Sequence, residues 1–295
     1  MTDPGIVLLT GAAGRIGSRL IPALRARGWT VRALAHRRPV PAADQVVSGS
    51  LADAEALRRS VEGSTAVIHL AAVTHARSAA AYARVNAEGT RNLVGAAAEA
   101  GINRFVFVSS RAIDRRGGAY SGSKADAEEI VRGSGLAYTI LRLPELYGLG
   151  GREGLDRLVS LVRAGSRVPI VGRGADLLCP MYVDDALAAC VGGLEREAAL
   201  NKTYTLAGPC LTTRGFVEEA VRAYSSSSTI IGIPPAAVSL AGRLARVLPL
   251  PLYPDQLARL KAPKPPVSGE AEVELGYCYR SLRDGLRALT TELPT

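Results

Sequence analysis

An apolar run, Ile6-Val7-Leu8-Leu9, passes directly into Thr10-Gly11-Ala12-Ala13-Gly14-Arg15-Ile16-Gly17. No other stretch restricts the fold so tightly. Four aliphatic residues in a row read as a short strand buried on both faces, as in parallel sheets. Glycines at spacing three and three let the backbone turn tightly and approach a ligand. The helix that opens after the turn points unpaired N–H groups and a partial positive charge at whatever lies there. A phosphate group suits that position, and the G-x-x-G-x-x-G form is a cousin of the G-x-G-x-x-G dinucleotide fingerprint. Glycine-rich turns also serve as plain strand–helix connections. The pattern gains its weight from standing at the first strand of an α/β succession.

Ile6–Leu9, Val31–Ala35, Ala66–Leu70, Phe105–Ser109 and Tyr138–Leu141 read as strands. Arg15–Arg27, Asp53–Val61, Ala79–Ala100 and Ala119–Arg132 read as helices between them, and Gly28, Gly63, Gly101 and Gly135 stand where stops belong. This β-α repetition predicts an α/β fold, a Rossmann-type doubly wound parallel sheet with right-handed crossovers. Beyond residue 148 the alternation becomes irregular. Residues 151–178 and 208–270 hold Gly and Pro punctuation, short helices and little strand pattern. The expected division is a dinucleotide-binding domain over 1–148 and a smaller C-terminal substrate-binding region over 149–295, with some elements returning to the core. Ligands of open α/β sheets bind at the C-terminal edge, where this region is expected to pack.

The 295 residues suffice for a sizeable core. The formal charge is +9 and arginine supplies most of it, since there are only four lysines. The arginines scatter along helices with no block and no aromatic interleaving, so no nucleic-acid partner is expected. They read as a solvated basic surface that also attracts phosphorylated ligands. Cys179, Cys190, Cys210 and Cys278 stand far apart, without a C-x-x-C pair or metal spacing. They read as small buried side chains in a reducing compartment, and no metal is expected. The most apolar late segment, residues 230–252, is broken by Pro234, Pro235, Arg243, Arg246, Pro249 and Pro251, which argues against a membrane span. With no signal-peptide pattern, the expected location is cytoplasmic. His69 and His75 read as structural or solvated, and Trp29 as packing at the start of the second strand.

The second sharp feature is Tyr120-Ser121-Gly122-Ser123-Lys124, ten residues after Ser109-Ser110. Tyr120 and Lys124 share one helix face. An ammonium beside a phenol favours the phenolate, which fits Tyr120 to give or take a proton near neutral pH. Ser110, at a strand end, is placed to hydrogen-bond a substrate oxygen. A Y-x-x-x-K match also arises from ordinary surface pairs; here it opens the helix after the fourth Rossmann-type strand, at the sheet edge where a nicotinamide would lie.

With these motifs the chain resembles the extended short-chain dehydrogenase/reductase family, the NAD-dependent epimerase/dehydratase group. The resemblance runs over Thr10–Gly17, His69-Leu70-Ala71-Ala72, Asn86-Ala87-Glu88-Gly89-Thr90, Phe107–Ser110, Tyr120–Lys124, Leu143–Gly148, Tyr182–Asp185 and Glu274–Tyr277. It implies that Gly11, Gly14 and Gly17 cradle a pyrophosphate, with Arg15 and Ile16 at the helix start. Leu51, Leu70, Ala71 and Ala72 would line the cofactor. Tyr120 would be the acid/base, Lys124 would hold the nicotinamide ribose and tune Tyr120, and Ser110 would orient the carbonyl or hydroxyl. Leu143, Pro144 and Leu146 would lie beside the nicotinamide. Asp184 and Asp185 would start a helix as N-cap residues. A homodimer through Ala79–Ala100 and Ala119–Arg132 is implied as well.

Where NAD binders usually place a carboxylate for the ribose 2′-hydroxyl, this chain reads Ala35-His36-Arg37-Arg38. Arginines suit a 2′-phosphate, so the expected cofactor is NADP, with NAD as the alternative. The chain also departs from the family pattern. Asp114-Arg115 replaces the Tyr-Gly pair common after the serine, the Ser110-to-Tyr120 segment is short, Ser50 replaces an acidic residue after the third strand, and no Asp-Glu pair follows Ser110. Tyr204–Pro209 looks like the branch related to an accessory subunit of respiratory complex I, where the cofactor can be structural. The expectation is an NAD(P)-dependent oxidoreductase using Ser110, Tyr120 and Lys124 on a ketone or secondary alcohol of a sugar nucleotide or secondary metabolite. The alternatives are a sugar-nucleotide epimerase with retained NAD and a non-catalytic NADP(H)-binding structural or regulatory protein.

Overall fold

The computed structural model describes residues 4–76, 78–151, 153–238, 258–259 and 262–291. Strand β1 (Ile6–Thr10) runs into α1 (Arg15–Arg25), followed by β2 (Thr30–Ala35), β3 (Gln45–Ser48), α2 (Ala54–Val61) and β4 (Ser64–His69). A continuous helical stretch comes next: α3 (Ala79–Tyr82), a π-helical turn (Ala83–Glu88) and α4 (Gly89–Glu99). Then come β5 (Arg104–Ser110), α5 (Ala119–Arg132) and β6 (Tyr138–Leu143). Later elements are shorter: β7 (Leu146–Tyr147), α6 (Leu155–Arg163), β8 (Val168–Val171), β9 (Leu177–Leu178) and β10 (Met181–Tyr182). They continue through α7 (Val183–Glu195), β11 (Lys202–Thr205), β12 (Leu211–Thr212), α8 (Thr213–Ala223), β13 (Ile230–Ile233), α9 (Ala271–Leu275) and α10 (Leu282–Thr291).

Seven strands form one sheet in the order β11-β6-β5-β4-β1-β2-β3. Every pairing in it is parallel. The order reverses between β1 and β4, and the crevice at that switch point is where such sheets take ligands. Strand alternation sorts the core into two layers. Val7 and Leu9 of β1 face α1 and α7 with Leu20, Ile21, Leu24, Ala186 and Cys190. Leu8, Val67, Phe105 and Phe107 face the other way, onto Leu57, Leu93, Ala127 and Val131 of α2, α4 and α5. A third cluster, including Tyr147, Leu155, Val159, Tyr182, Phe216 and Leu286, holds the C-terminal elements together.

Three sequence expectations are corrected. Neither Asp184 nor Asp185 caps α7: the N-cap is Tyr182, and both carboxylates lie in the first turn. There they bind arginines instead, Asp184 accepting from Arg19 Nη2 at 2.6 Å and Asp185 from Arg280 Nε at 2.9 Å. Cys179 and Cys210 are not separate thiols but a disulfide across a sequence separation of 31, while Cys190 is a buried and Cys278 an exposed free thiol. Residues 151–178 and 208–270 hold short strand pairs, β8 with β13 and β9 with β12. Part of the apolar 230–252 segment lies outside the described residues; among the described ones no helix is long and apolar enough to cross a membrane.

The two halves are joined at the glycine turn. Arg15 donates to both oxygens of Asp156, at 2.7 and 3.1 Å, and to the carbonyls of Leu146, Gly148 and Leu149. A second charged centre lies under α5. Glu128, 1% exposed, accepts from Ser109 Oγ at 2.6 Å, Arg142 Nη2 at 2.6 Å and Arg132 Nη2 at 2.6 Å. Burial pushes this carboxyl up, but the bonds from Arg142, Ser109 and Arg132 outweigh it, so the net shift is down. Glu128→Ala should therefore cost about 3 kcal/mol, because it strands the Arg142 guanidinium; urea unfolding measures it. The wild-type contribution is full above the unfolded carboxylate pKa of about 4.3 and disappears as pH falls through the lower folded value, whereas the variant should lack that dependence.

Candidate active site

The glycine turn is shaped by contact with the end of β4. Gly11 has φ +70, and a Cβ there would lie 2.7 Å from Ala71 N and 2.8 Å from the Leu70 carbonyl carbon. At Gly17 a Cβ would lie 2.4 Å from Gly11 O. Side chains are thus excluded at both positions. Gly14 is the N-cap of α1 with no side-chain cap, so the first-turn N–H groups remain open to an anion. That cradle, barred to any Cβ and uncapped at the helix start, fits a dinucleotide pyrophosphate.

Ile16 packs against the core. Arg15 opens α1, and its guanidinium is engaged at Asp156. Leu70, Ala71 and Ala72 follow β4 and are half-buried. Leu51, buried, follows β3 and abuts Gly89, with its carbonyl accepting from Asn92 Nδ2 at 2.9 Å. His36, Arg37 and Arg38 are exposed just past β2. Leu143 and Pro144 are buried and Leu146 half-buried, past the end of β6. All these positions lie along the C-terminal edge of the sheet.

Tyr120 and Lys124 occupy the first two turns of α5 and are 7% and 3% exposed. The Tyr120 ring meets Tyr82 edge-on, with centroids 5.8 Å apart. Lys124 Nζ donates to Val108 O at 2.9 Å and lies 4.1 Å from the Phe107 ring centroid. Burial pulls its amine down to about 7, against the opposing field of Glu128. Ser110 ends β5, two residues past Val108, and its Oγ accepts from Ala112 N at 3.0 Å. The hydroxyl hydrogen remains for a substrate oxygen.

Sequence reasoning left His69 as an ordinary strand-end residue. The structure gives it a defined place. His69 is fully buried, with Nδ1 2.6 Å from Thr10 Oγ1 and Nε2 3.0 Å from Thr90 Oγ1. Thr90 Oγ1 donates to Asn86 O at 2.6 Å, so it must accept from Nε2–H. Burial, reinforced by the field of Lys124, lowers the His69 pKa to about 3, so the ring is neutral. Nδ1 therefore accepts from Thr10, whose oxygen in turn accepts from Ala71 N at 3.2 Å. Asn86, in the π-helical turn, accepts from Val73 N and donates to Ser123 Oγ at 3.0 Å, and Ser123 donates to Tyr120 O at 2.8 Å. Two directed runs of hydrogen bonds, meeting at Asn86, thus link the glycine turn to the backbone of Tyr120. The spacing Asn86…Thr90 carried a signal, since residues four apart share a helix face.

The fold is a Rossmann-type α/β fold, with a glycine cradle at the switch point and Ser110, Tyr120 and Lys124 on β5 and α5. The NAD dependent epimerase/dehydratase family matches residues 7–207, so the chain belongs to that family. The ceramide reductase of Caulobacter vibrioides is 35% identical over 193 residues, covering 63% of this chain and 60% of that protein. A quinoline-1-oxide ketoreductase of Stigmatella aurantiaca is 27% identical, covering 95% of this chain and 94% of its own. The chain thus spans less than two thirds of the ceramide reductase. Among solved structures, MoeE5 in complex with UDP-glucuronic acid and NAD superposes with a TM-score of 0.78 at 25% identity, covering 97% of both chains.

His69 is expected to stay uncharged across pH 5 to 8, so its imidazole NMR shifts should not move there. Its folded pKa of about 3 lies below its unfolded value, which is about 6.5. The unfolded state therefore takes up the proton first, and the His69 contribution to stability is full above the unfolded value and falls as pH drops below it. A shift titrating near pH 6.5 would contradict the assigned hydrogen-bond chain.

Proposed function

We propose that this enzyme is an NADP(H)-preferring oxidoreductase acting on a ketone or secondary alcohol, with Ser110, Tyr120 and Lys124 as its catalytic residues. A nicotinamide dinucleotide bound at the glycine turn supplies or receives the hydride. Gly11, Gly14, Ile16 and Gly17 hold its phosphates, while Leu51, Leu70, Ala71, Ala72, Leu143, Pro144 and Leu146 line its path along the sheet edge. Ser110 donates its hydroxyl hydrogen to the substrate oxygen. Tyr120 gives or takes the proton of that oxygen. Lys124, one helical turn on, favours the tyrosinate while charged. The described elements of the C-terminal region, apart from α7 and β11, which return to the core, supply the substrate side.

The observation that carries this reading is Lys124 itself. Its buried amine is tied to the Val108 carbonyl, between the helix face of Tyr120 and the strand end of Ser110. A buried amine drawn toward neutral pH is common where an enzyme moves protons. The relatives named as reductases support net reduction. The sugar-nucleotide complex of MoeE5 supports the second reading, an epimerase with retained NAD. The replacement of Tyr-Gly by Asp114-Arg115 after the serine favours the reductase.

NADP preference rests on Arg37 and Arg38. Both are exposed beyond β2, and among the described residues neither forms an ion pair. Each is available to a 2′-phosphate. Two outcomes are expected. Tyr120→Phe should lower kcat for ketone reduction by about 10²- to 10⁴-fold, with NADPH binding retained by fluorescence; undiminished turnover would refute the assignment. Replacing both Arg37 and Arg38 with serine should raise KM for NADPH by roughly tenfold or more relative to NADH, since charge-assisted bonds to the phosphate are lost. Turnover with tightly retained NAD and no added cofactor would favour the epimerase.

A further inference from the structure

Beside Tyr120 lies a group of cations that the proposed chemistry does not use. Arg111 follows Ser110 directly and is anchored at the sheet edge, its N–H donating to Leu143 O at 2.8 Å. Its side chain is half-buried, and its Nε is shut off from solvent with no hydrogen-bond partner. The Arg259 guanidinium lies 4.5 Å from the centroid of the Tyr120 ring, and its Nη1 donates to Thr74 O at 3.3 Å. Lys264 Nζ donates to the Arg259 carbonyl. Ala262 faces Gly117, near enough that a Cβ on Gly117 would lie 3.3 Å from it. The described parts of 258–264 therefore reach from Thr74, past Tyr120, to the start of α5.

The charges of Arg111 and Lys264 are not met by close carboxylates. Among the described residues, neither Arg111 nor Lys264 forms an ion pair with a carboxylate. Asp114 is taken up by Arg116, at 2.9 and 2.7 Å, and is thereby held near 2. Glu145 is exposed and acts on Arg111 and Lys264 only through its field, and the field of Asp114 reaches Lys264 as a smaller influence. Burial draws Arg111 and Lys264 below their ordinary ranges, and Arg111 and Arg259 lower Lys264 further. Half-buried cations without a directly paired counter-charge are costly unless something anionic meets them. A guanidinium fork and an ammonium together suit a carboxylate or a phosphate.

We propose that Arg111 and Lys264, with Arg259 against the Tyr120 ring, form a subsite for an anionic group carried by the substrate a few atoms from its reacting carbonyl. The group is a carboxylate or a phosphate, and the inference rests on the oxidoreductase reading of the same site. An anion held there fixes which end of the substrate reaches Tyr120 and Ser110. It also separates this chain's substrates from neutral ketones of the same shape.

The test uses the full chain in two arms. In the first, calorimetry titrates benzoate and inorganic phosphate separately into protein saturated with NADP+, for wild type, Arg111→Gln and Lys264→Gln. At least one anion should bind the wild type, and at least tenfold more weakly in each variant; which one binds names the group. Arg111→Lys should recover part of the loss, which distinguishes lost charge from a misfolded variant. In the second arm, NADPH-dependent reduction is followed for matched pairs, acetoacetate with its methyl ester and dihydroxyacetone phosphate with dihydroxyacetone. The charged member of one pair should have the lower KM, and both glutamine variants should raise that KM at least tenfold more than the KM of its neutral partner. Absence of binding by both anions, equal binding in wild type and variants, or preference for the neutral members would overturn the subsite. If no ketone turns over, the oxidoreductase reading fails while the calorimetry still decides the subsite.

Discussion

The hydrogen bond between Thr10 and His69 governs how the rest of the site is held. It joins the last residues of two adjacent parallel strands, β1 and β4, at the point where the sheet order reverses. The crevice at such a point spreads open because the following connections leave on opposite faces. A polar pair buried there must be fully satisfied or it becomes a liability. Here each partner is satisfied in one direction only, from the Ala71 N–H through Thr10, His69 and Thr90 to the Asn86 carbonyl. The neutral ring with hydrogen on Nε2 is the one form that fits. A second run, from the Asn86 side chain through Ser123 to the Tyr120 carbonyl, carries the same support to the helix bearing Tyr120.

Electrostatics reinforce that choice. Lys124 and His69 both lie against Phe107, the ammonium 4.1 Å from the ring centroid and the imidazole stacked with centroids 5.5 Å apart. Two positive charges so close and so deeply buried would repel without screening. The histidine therefore stays neutral. Glu128 stands one helical turn past Lys124 and supplies the opposing field that keeps the amine from falling further. Its own charge is held by Arg142, Ser109 and Arg132. The carboxylate under α5 thus supports the ammonium, and the ammonium in turn helps keep the ring at the end of β4 uncharged.

Much of the regular half was legible because its signals were local. The aliphatic runs of β1 and β5 and the helix Ala119–Arg132 announced themselves by periodicity and glycine stops, and the expected helix bounds at 119–132 are the observed ones. Strand β3 was hidden: Gln45 and Val46 are exposed on the edge, so it lacks a buried pattern. Strand β11 was hidden for another reason, since its partner is β6, more than sixty residues earlier in sequence. The π-helical turn leaves no compositional trace, yet it brings Asn86 to Val73 and Ser123. The Cys179–Cys210 pair depended on two loops meeting, which spacing alone does not reveal. The motif glycines, Tyr120 and Lys124 could be read from sequence; the groups around them, His69, Thr90 and Glu128, owe their positions to tertiary contact.

Arg15 carries a consequence for redesign. An arginine at the opening of this first helix would ordinarily be counted among the groups that recognise coenzyme charge. In this chain its fork is already spent on Asp156 and three carbonyls, welding the nucleotide half to the C-terminal half. A lysine could not replace it, because a single ammonium does not span a carboxylate and a row of carbonyls at once. Under the proposed function, discrimination between phosphorylated and unphosphorylated coenzyme is left to the exposed corner at 36–38. An engineer can rewrite that corner freely, since it shares no bond with the weld that keeps the two halves in register.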